Sequence, residues 1–244
     1  MISAAEIKFV KSLSQKKFRD SAGLSVAEGE KLVSEALASS FKVEKVYRKE
    51  EIGEEKMGRM SSLSSPSPVL ATIRIPEDLS EGKLPEKGLF LALDSIRDPG
   101  NLGTILRIAD WFGIDAVFAS ADTVDVFNPK VVQATMGAIF RVKFHYTDIP
   151  DLCKKAVSMG GKVYGTFLDG ENIYGKALDC GKTAPSVIVI GNEANGISAR
   201  VASLVTERLY IPPYPQDSPG SESLNAAIAT AITVAEFRRR GENY

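Results

Sequence analysis

The sequence predicts an α/β protein: a parallel sheet with helices on both faces over residues 89–244, preceded by a smaller α/β unit over residues 1–75. Three observations predict it. Residues 89–93 (Leu-Phe-Leu-Ala-Leu) and 187–190 (Val-Ile-Val-Ile) are apolar without alternation, as strands buried on both faces are. Such runs alternate with stretches of helical spacing, the order expected of strand–helix crossover units. Residues 76–88 set Pro76, Gly82, Pro85 and Gly88 among charges, and this stretch reads as a linker.

The first unit opens on a helix. Ser3 is placed to cap it, with Glu6 three residues on in capping-box position, and Ile7, Val10 and Leu13 follow at helical spacing. Lys16-Lys17-Phe18-Arg19 then interleaves cations with one aromatic ring. A strand over residues 24–27 leads into Glu28-Gly29 and a helix over 30–38. Strands over 43–47 and 69–75 complete the unit, with a Ser/Pro cluster at 61–68 between them. In the second region the strand 89–93 is followed by a loop rich in Asp, Pro and Gly, then a helix over 102–112. A strand over 116–119, a helix over 129–139 and strands over 162–167, 187–190 and 209–211 precede a final helix over 224–240. That helix is apolar around much of its circumference, through Leu224, Ala227, Ile228, Ala231, Val234 and Phe237. It therefore has more than one face to bury, against the sheet or a second subunit.

Composition narrows the chemistry. An apolar fraction of 44%, a charged fraction of 25% and a net charge of −1 are those of an ordinary globular protein. No apolar run is long enough to span a membrane, and the first residues lack the layout of a signal peptide. Cys153 and Cys180 have neither metal nor redox spacing. A cytoplasmic protein with reduced thiols and no metal is expected. The lone histidine, His145, cannot build a zinc site, and no nucleophile elbow accompanies it, so it reads as a strand residue. Residues 1–75 carry 13 Lys and Arg against 10 Asp and Glu, which fits an RNA-facing patch or a merely solvated surface.

In parallel sheets ligands bind beyond the carboxyl ends of the strands, and three loops fall there. The first runs from Asp94 through Arg97-Asp98-Pro99-Gly100-Asn101-Leu102-Gly103, with Arg107 on the helix behind it. Asn101 can cap that helix, and a helix start beside two arginines suits a phosphate. The second is Gly191-Asn192-Glu193-Ala194-Asn195-Gly196, whose glycines let backbone approach a ligand. The third runs from Ile211-Pro212 to Ser223-Leu224-Asn225, where Ser223 or Asn225 can cap the last helix. Each loop alone has an ordinary account as a turn or a cap. No dinucleotide glycine fingerprint and no P-loop is present, which argues against a nicotinamide oxidoreductase.

Together, in this order and at these intervals, the three loops resemble the motifs of the SpoU, or TrmH-like, family of RNA ribose 2′-O-methyltransferases. Residues 98–103 with Arg107 look like the first motif, 191–196 like the second, and Ile211-Pro212 with Ser223-Leu224-Asn225 like the third. The stretch between the halves of the third motif is roughly four residues longer than the family usual, and Ala226-Ala227-Ile228 replaces its small, β-branched pattern. Residues 1–75 resemble the small RNA-binding domain of ribosomal-RNA members.

The resemblance implies a C-terminal trefoil knot, a homodimer, and S-adenosylmethionine as methyl donor. It implies catalytic roles for Arg107, Asn101, Ser223 and Asn225, with Arg107 of one chain facing Ser223 and Asn225 of the other. Cofactor contacts fall at Thr166, Gly191, Glu193, Ile211 and Leu224, with Glu193 also able to pair with an arginine of the site. Lys16, Lys17 and Arg19 are the candidate RNA contacts. Ribosomal RNA is the expected substrate; transfer RNA, or binding of RNA and cofactor without efficient catalysis, remain the alternatives.

Overall fold

The computed structural model describes residues 2–80, 82–215 and 223–241. In chain order its elements are α1 (Ala4–Ser12), α2 (Lys16–Ala22), β1 (Leu24–Glu28), α3 (Glu30–Ala38), β2 (Val43–Arg48), α4 (Lys49–Ile52), α5 (Glu54–Met60) and β3 (Val69–Arg74). Then come β4 (Gly88–Asp94), α6 (Pro99–Trp111), β5 (Ala116–Ala119), α7 (Pro129–Thr135), β6 (Phe144–Tyr146) and α8 (Ile149–Ser158). The chain continues through β7 (Lys162–Asn172), β8 (Pro185–Gly191), α9 (Ala199–Ala202), β9 (Glu207–Tyr210) and α10 (Ala226–Gly241). Two compact units result: the chain up to Glu77 together with Asp125–Arg141, and Asp78–Val124 together with the remainder.

In the first unit an antiparallel sheet of order β1-β3-β2 is covered on both faces. Ile7 and Val10 of α1 and Leu13 at its end meet Met57 and Met60 of α5 over Val26, Tyr47 and Leu70. Val33 of α3 packs on Val69 and Ala71 from the other side. Ser3 caps α1 by accepting the Glu6 N–H at 3.1 Å, but Glu6 does not close the box. Its carboxylate turns to Lys45 Nζ at 2.5 Å and Tyr47 Oη at 2.9 Å instead. Glu28 is buried at the end of β1, where it accepts from the Ser61 hydroxyl and from the Ser62 and Ser67 amides. A carboxylate removed from water needs such donors, and here they hold the Ser/Pro loop in place.

The segment Asp125–Arg141 reaches this unit from far along the chain. The buried Ser25 hydroxyl donates to the Phe127 carbonyl at 3.0 Å, and Phe41 packs its ring against Phe127 and Phe140. The helix expected over 129–139 is broken here. α7 ends at Thr135, Met136 and Gly137 take positive φ of 51° and 101°, and a short 3-10 turn covers Ala138–Phe140. A Cβ on Gly137 would lie 2.9 Å from Glu35 Cγ, so only glycine allows both the turn and the close approach.

The second unit is a six-stranded sheet of order β6-β5-β4-β8-β7-β9, parallel throughout. Side chains alternate between its faces. Phe90, Ala92, Phe118, Val163, Val187 and Val189 pack against Leu152, Cys153 and Ala156 of α8. On the opposite face Tyr164 meets the Phe237 ring of α10 edge-on at 4.8 Å, and α10 packs on α6 and β8. This explains the unalternating strands: both faces are covered. α8 is an element the apolar pattern does not announce. It is capped by Asp148, which accepts the Asp151 N–H at 2.9 Å, with Pro150 in the first turn. β7 runs five residues beyond the expected end at 167, and its second half pairs again with β9. No helix among the described residues is long and apolar enough to cross a membrane.

Candidate active site at the carboxyl edge of the parallel sheet

The first loop leaves β4 through Ser95, which holds a positive φ of 63°. A serine there is kept by its neighbours: its N–H donates to Ser120 Oγ at 2.9 Å and its Oγ to Asp122 at 2.7 Å. α6 then starts earlier than its apolar pattern suggests. Asp98, not Asn101, is the N-cap, accepting the Asn101 N–H at 2.8 Å, and Pro99 takes the first helical position, where a missing N–H costs nothing. Asn101 is therefore inside the first turn, buried, with its amide free for tertiary contacts.

The second loop folds back on itself. Asn192 and Gly196 exchange backbone hydrogen bonds, both 2.9 Å, and Asn192 Oδ1 accepts from Ala194 and Asn195. A Cβ on Gly191 would lie 2.2 Å from Gly196 C, so the close backbone approach this glycine permits is to its own loop. The turn presents Glu193 to the first loop. One Glu193 oxygen accepts from Asp98 N at 3.1 Å and Asn101 Nδ2 at 2.9 Å; the other accepts from Arg97 N at 3.2 Å. Asn192 Nδ2 adds a bond to the Ser95 carbonyl at 2.7 Å. The expected arginine partner of Glu193 is thus a backbone amide. The Arg97 guanidinium bonds Asp122 instead, at 2.7 Å.

In the third loop Asn225, rather than Ser223, caps the final helix. Its Oδ1 accepts from Ala227 N at 2.9 Å and Ile228 N at 3.2 Å. With the oxygen so fixed, its Nδ2 can only donate outward, and it donates to Asn101 Oδ1 at 2.8 Å. Asn225, Asn101 and Glu193 form one directed hydrogen-bond line joining all three loops. Partial burial raises the Glu193 pKa, but donors from Asn101 and from the Glu193, Arg97 and Asp98 backbone outweigh it, and the carboxyl lies below its ordinary range.

A family model described as the SpoU rRNA Methylase family matches residues 88–235. The chain belongs to the SpoU family. A second model, an MRM3-like substrate binding domain, matches residues 4–85. Among curated proteins, the Bacillus subtilis 23S rRNA (guanosine(2553)-2′-O)-methyltransferase RlmP is 31% identical, over 96% of both chains. Among solved structures, a TrmH-family protein from Porphyromonas gingivalis superposes with a TM-score of 0.87 at 38% identity, covering 98% of this chain and 99% of that one. An AdoMet-bound rRNA methyltransferase from Sinorhizobium meliloti gives 0.84 at 29%, covering 98% and 97%.

The remaining expected residues of this SpoU member divide into four groups. Thr166 and Ile211 are half-buried on β7 and just past β9, while Gly191 ends β8; these strands are neighbours in the sheet. Ser223 and Leu224 are exposed beside Asn225, and residues 216–222 of the lengthened third motif lie outside the described residues. Arg107 stands apart: it is exposed, and no described residue bonds or pairs with it. Six residues after Asn101, it points roughly 120° away around the helix. In the first unit Lys16 is exposed and paired with Asp20 at 2.8 Å, and Lys17 lies 4.7 Å over the Phe18 ring. Arg19 corrects the sequence expectation. It is 2% exposed, donating to the Leu13 and Ser14 carbonyls at 2.9 and 3.0 Å and pairing with Asp125, and so is a structural cation, not an RNA contact. Of the residues sequence reasoning missed, Asp98 was signalled by its place before a proline, a common helix start. The loop ties of Asn192, Ser120 and Asp122 had no sequence signal.

Proposed function

We propose that this edge of the sheet moves a methyl group from S-adenosylmethionine onto a ribose 2′-hydroxyl of ribosomal RNA. The observation that carries the reading is the Asn225–Asn101–Glu193 line, which gathers the three motif loops at the strand ends where ligands of parallel sheets bind. The donor fits the ends of β7, β8 and β9, where Thr166, Gly191, Ile211 and Leu224 offer backbone groups and apolar side chains suited to an adenosine. Bound there, S-adenosylmethionine supplies a methyl already activated by the sulfonium charge. The protein's task is then alignment and proton removal. Asn225 and Ser223 orient the ribose and donor. Asn101 fixes Asn225, and Glu193 acts through Asn101 as a positioning residue. Arg107 clamps the phosphate beside the target ribose, and that phosphate or a water accepts the hydroxyl proton.

Arg107 is exposed on α6, about 120° around that helix from Asn101, which favours a site shared between two chains. We infer a two-fold homodimer through α6 and α10, with Arg107 facing the partner subunit's Ser223 and Asn225. Trp111 at 85% exposure and Ile228 at 51%, on these same packed helices, leave apolar surface that a second copy would cover. The three motif loops, tied together at one edge of the sheet, fit the trefoil knot of the family. The division into an RNA-binding domain over 1–75, a linker over 76–88 and a methyltransferase domain over 89–244 accompanies this reading, except that Asp125–Arg141 joins the first unit. Lys16 and Lys17 are its candidate RNA contacts, and a cytoplasmic location accompanies this reading. The test is transfer of labelled methyl from S-adenosylmethionine to ribosomal RNA from cells lacking the gene, with mapping of 2′-O-methyl riboses. Donor binding without methyl at any ribose would overturn it.

A further inference from the structure

The sheet carries a second feature on the same edge that the transfer site does not use. Asp94 ends β4, Ser120 follows β5 and Tyr146 ends β6, so the carboxyl ends of three adjacent parallel strands floor a cavity of about 460 Å³. Asp148 at the head of α8, with Ser198 and Arg200 before and within α9, closes it from the side. Its volume is that of a small-ligand site. Its position is the one open parallel sheets use for ligands. β4 leads to β5 on one side and pairs with β8 on the other, so the strand order reverses there. The bond from Ser198 N to Asp94 Oδ2, 2.7 Å, bridges that switch point.

The polar groups of the cavity are of opposed kinds. Asp94 is more than nine-tenths buried, yet it lines the cavity, and its carboxylate makes one described hydrogen bond, through Oδ2. A buried carboxylate with acceptor capacity left over calls for a donor. Arg200 lines the same cavity, with an exposed guanidinium 3.5 Å from Asp148, too loose to satisfy its donors. An acid and an arginine in one cavity complement a ligand with adjacent donors on one edge and adjacent acceptors on another. Among the bases guanine has that pattern: N1–H and N2–H₂ for a carboxylate, O6 and N7 for an arginine. Uracil has no amino group and flanks its single N–H with carbonyls that a carboxylate repels. RNA is read specifically through unstacked bases whose edges are hydrogen-bonded in this way.

We propose that this cavity receives a splayed guanine of the RNA, read by Asp94 and Arg200, beside the ribose that is methylated. The proposal rests on the RNA-methylation reading. Its closeness to the transfer site follows from the chain, since Asp94 leads directly into the first motif loop and Ser198 follows the second.

The experiment uses the full chain with S-adenosylmethionine present. Short RNAs of sequence UGU, UIU and UUU are titrated while the amide resonances of Ala121, Thr147 and Ser198 are followed. UGU should shift these amides. UIU, lacking the 2-amino group, should bind several-fold more weakly, and UUU weaker still. Asp94→Asn keeps an oxygen for the Ser198 amide but turns a donor toward the cavity, and it should weaken UGU about ten- to hundred-fold, as loss of a base contact does. Arg200→Gln, on an exposed side chain, should reduce the preference for UGU without affecting folding. Unchanged affinity for S-adenosylmethionine certifies each variant as folded. Equal binding of the three RNAs, shifts confined to other amides, or an undiminished preference in the folded variants would overturn the proposal. Guanine preference without methyl transfer to ribosomal RNA would sink the methylation reading and leave the pocket; transfer without guanine preference would do the reverse.

Discussion

Arg19 on α2 and Arg107 on α6 are both helical arginines beside apolar residues, and the fold uses them oppositely. Arg19 lies inside its unit, where two carbonyls and Asp125 engage its two terminal nitrogens. Arg107 stands in solvent with no described partner. The difference teaches that a cation's role follows from the acceptors left around it after folding. A guanidinium buried and held at both terminal nitrogens is part of the architecture, whereas one exposed on a helix with free donors is available to a ligand.

The largest expected effect tests the free arginine. Arg107→Ala should lower methyl transfer by about a hundred- to thousand-fold, the scale of removing one aligned electrostatic contact, with donor affinity and thermal midpoint nearly unchanged. Asn225→Ala should also be inactive. In co-refolded mixtures of the two, half the dimers are mixed and each of these has one intact site. About a quarter of wild-type transfer should then return. Confirmed mixed dimers with no recovery would place Arg107 and Asn225 in one chain's site and end the shared-site reading.

For the buried arginine the expectation inverts. Arg19→Met should destabilise the protein by about 3 kcal/mol in urea unfolding, since it strands Asp125 and two carbonyls. The salt dependence of RNA binding by the folded fraction should stay as it was. A lowered salt slope would return Arg19 to the RNA interface. Charge reversal at Lys16 and Lys17 supplies the contrast: little change in stability, and a salt slope reduced by about 1 to 2 in log–log units if both lysines meet phosphates.

The smallest effect concerns the loop tie. The Glu193 pKa is depressed, so its stabilising contribution is present above the ordinary value of 4.5 and lost as pH falls through the folded value. Glu193→Gln should cost about 1 kcal/mol at neutral pH, because one of three N–H groups then faces an amide donor. It should also flatten the acid limb of stability below pH 4.5. An unchanged acid limb would remove Glu193 from the tie.

Much of the fold was legible from local pattern. Apolar strands without alternation required a sheet covered on both faces, and helical spacing with Asp, Pro and Gly at the loops located α6, much of α7 and the final helix, but not α8 or α9. The three loops could be read together as a site because their order along the chain matched a known set. What the sequence could not contain was decided by contacts between distant residues. Nothing local distinguishes Arg19 from Lys16, because Asp125 lies over a hundred residues away. Nothing local says that residues 125–141 leave the parallel-sheet unit for the small one, since apolar faces carry no address. Asn101 reads as a cap until Asp98 takes that role, and only then is its amide free to join Asn225 to Glu193. Hydrophobic periodicity is a property of neighbours in the chain and survives in the sequence. The pairing of buried polar groups depends on which donors and acceptors the folded chain brings within 3 Å, and that is settled only in three dimensions.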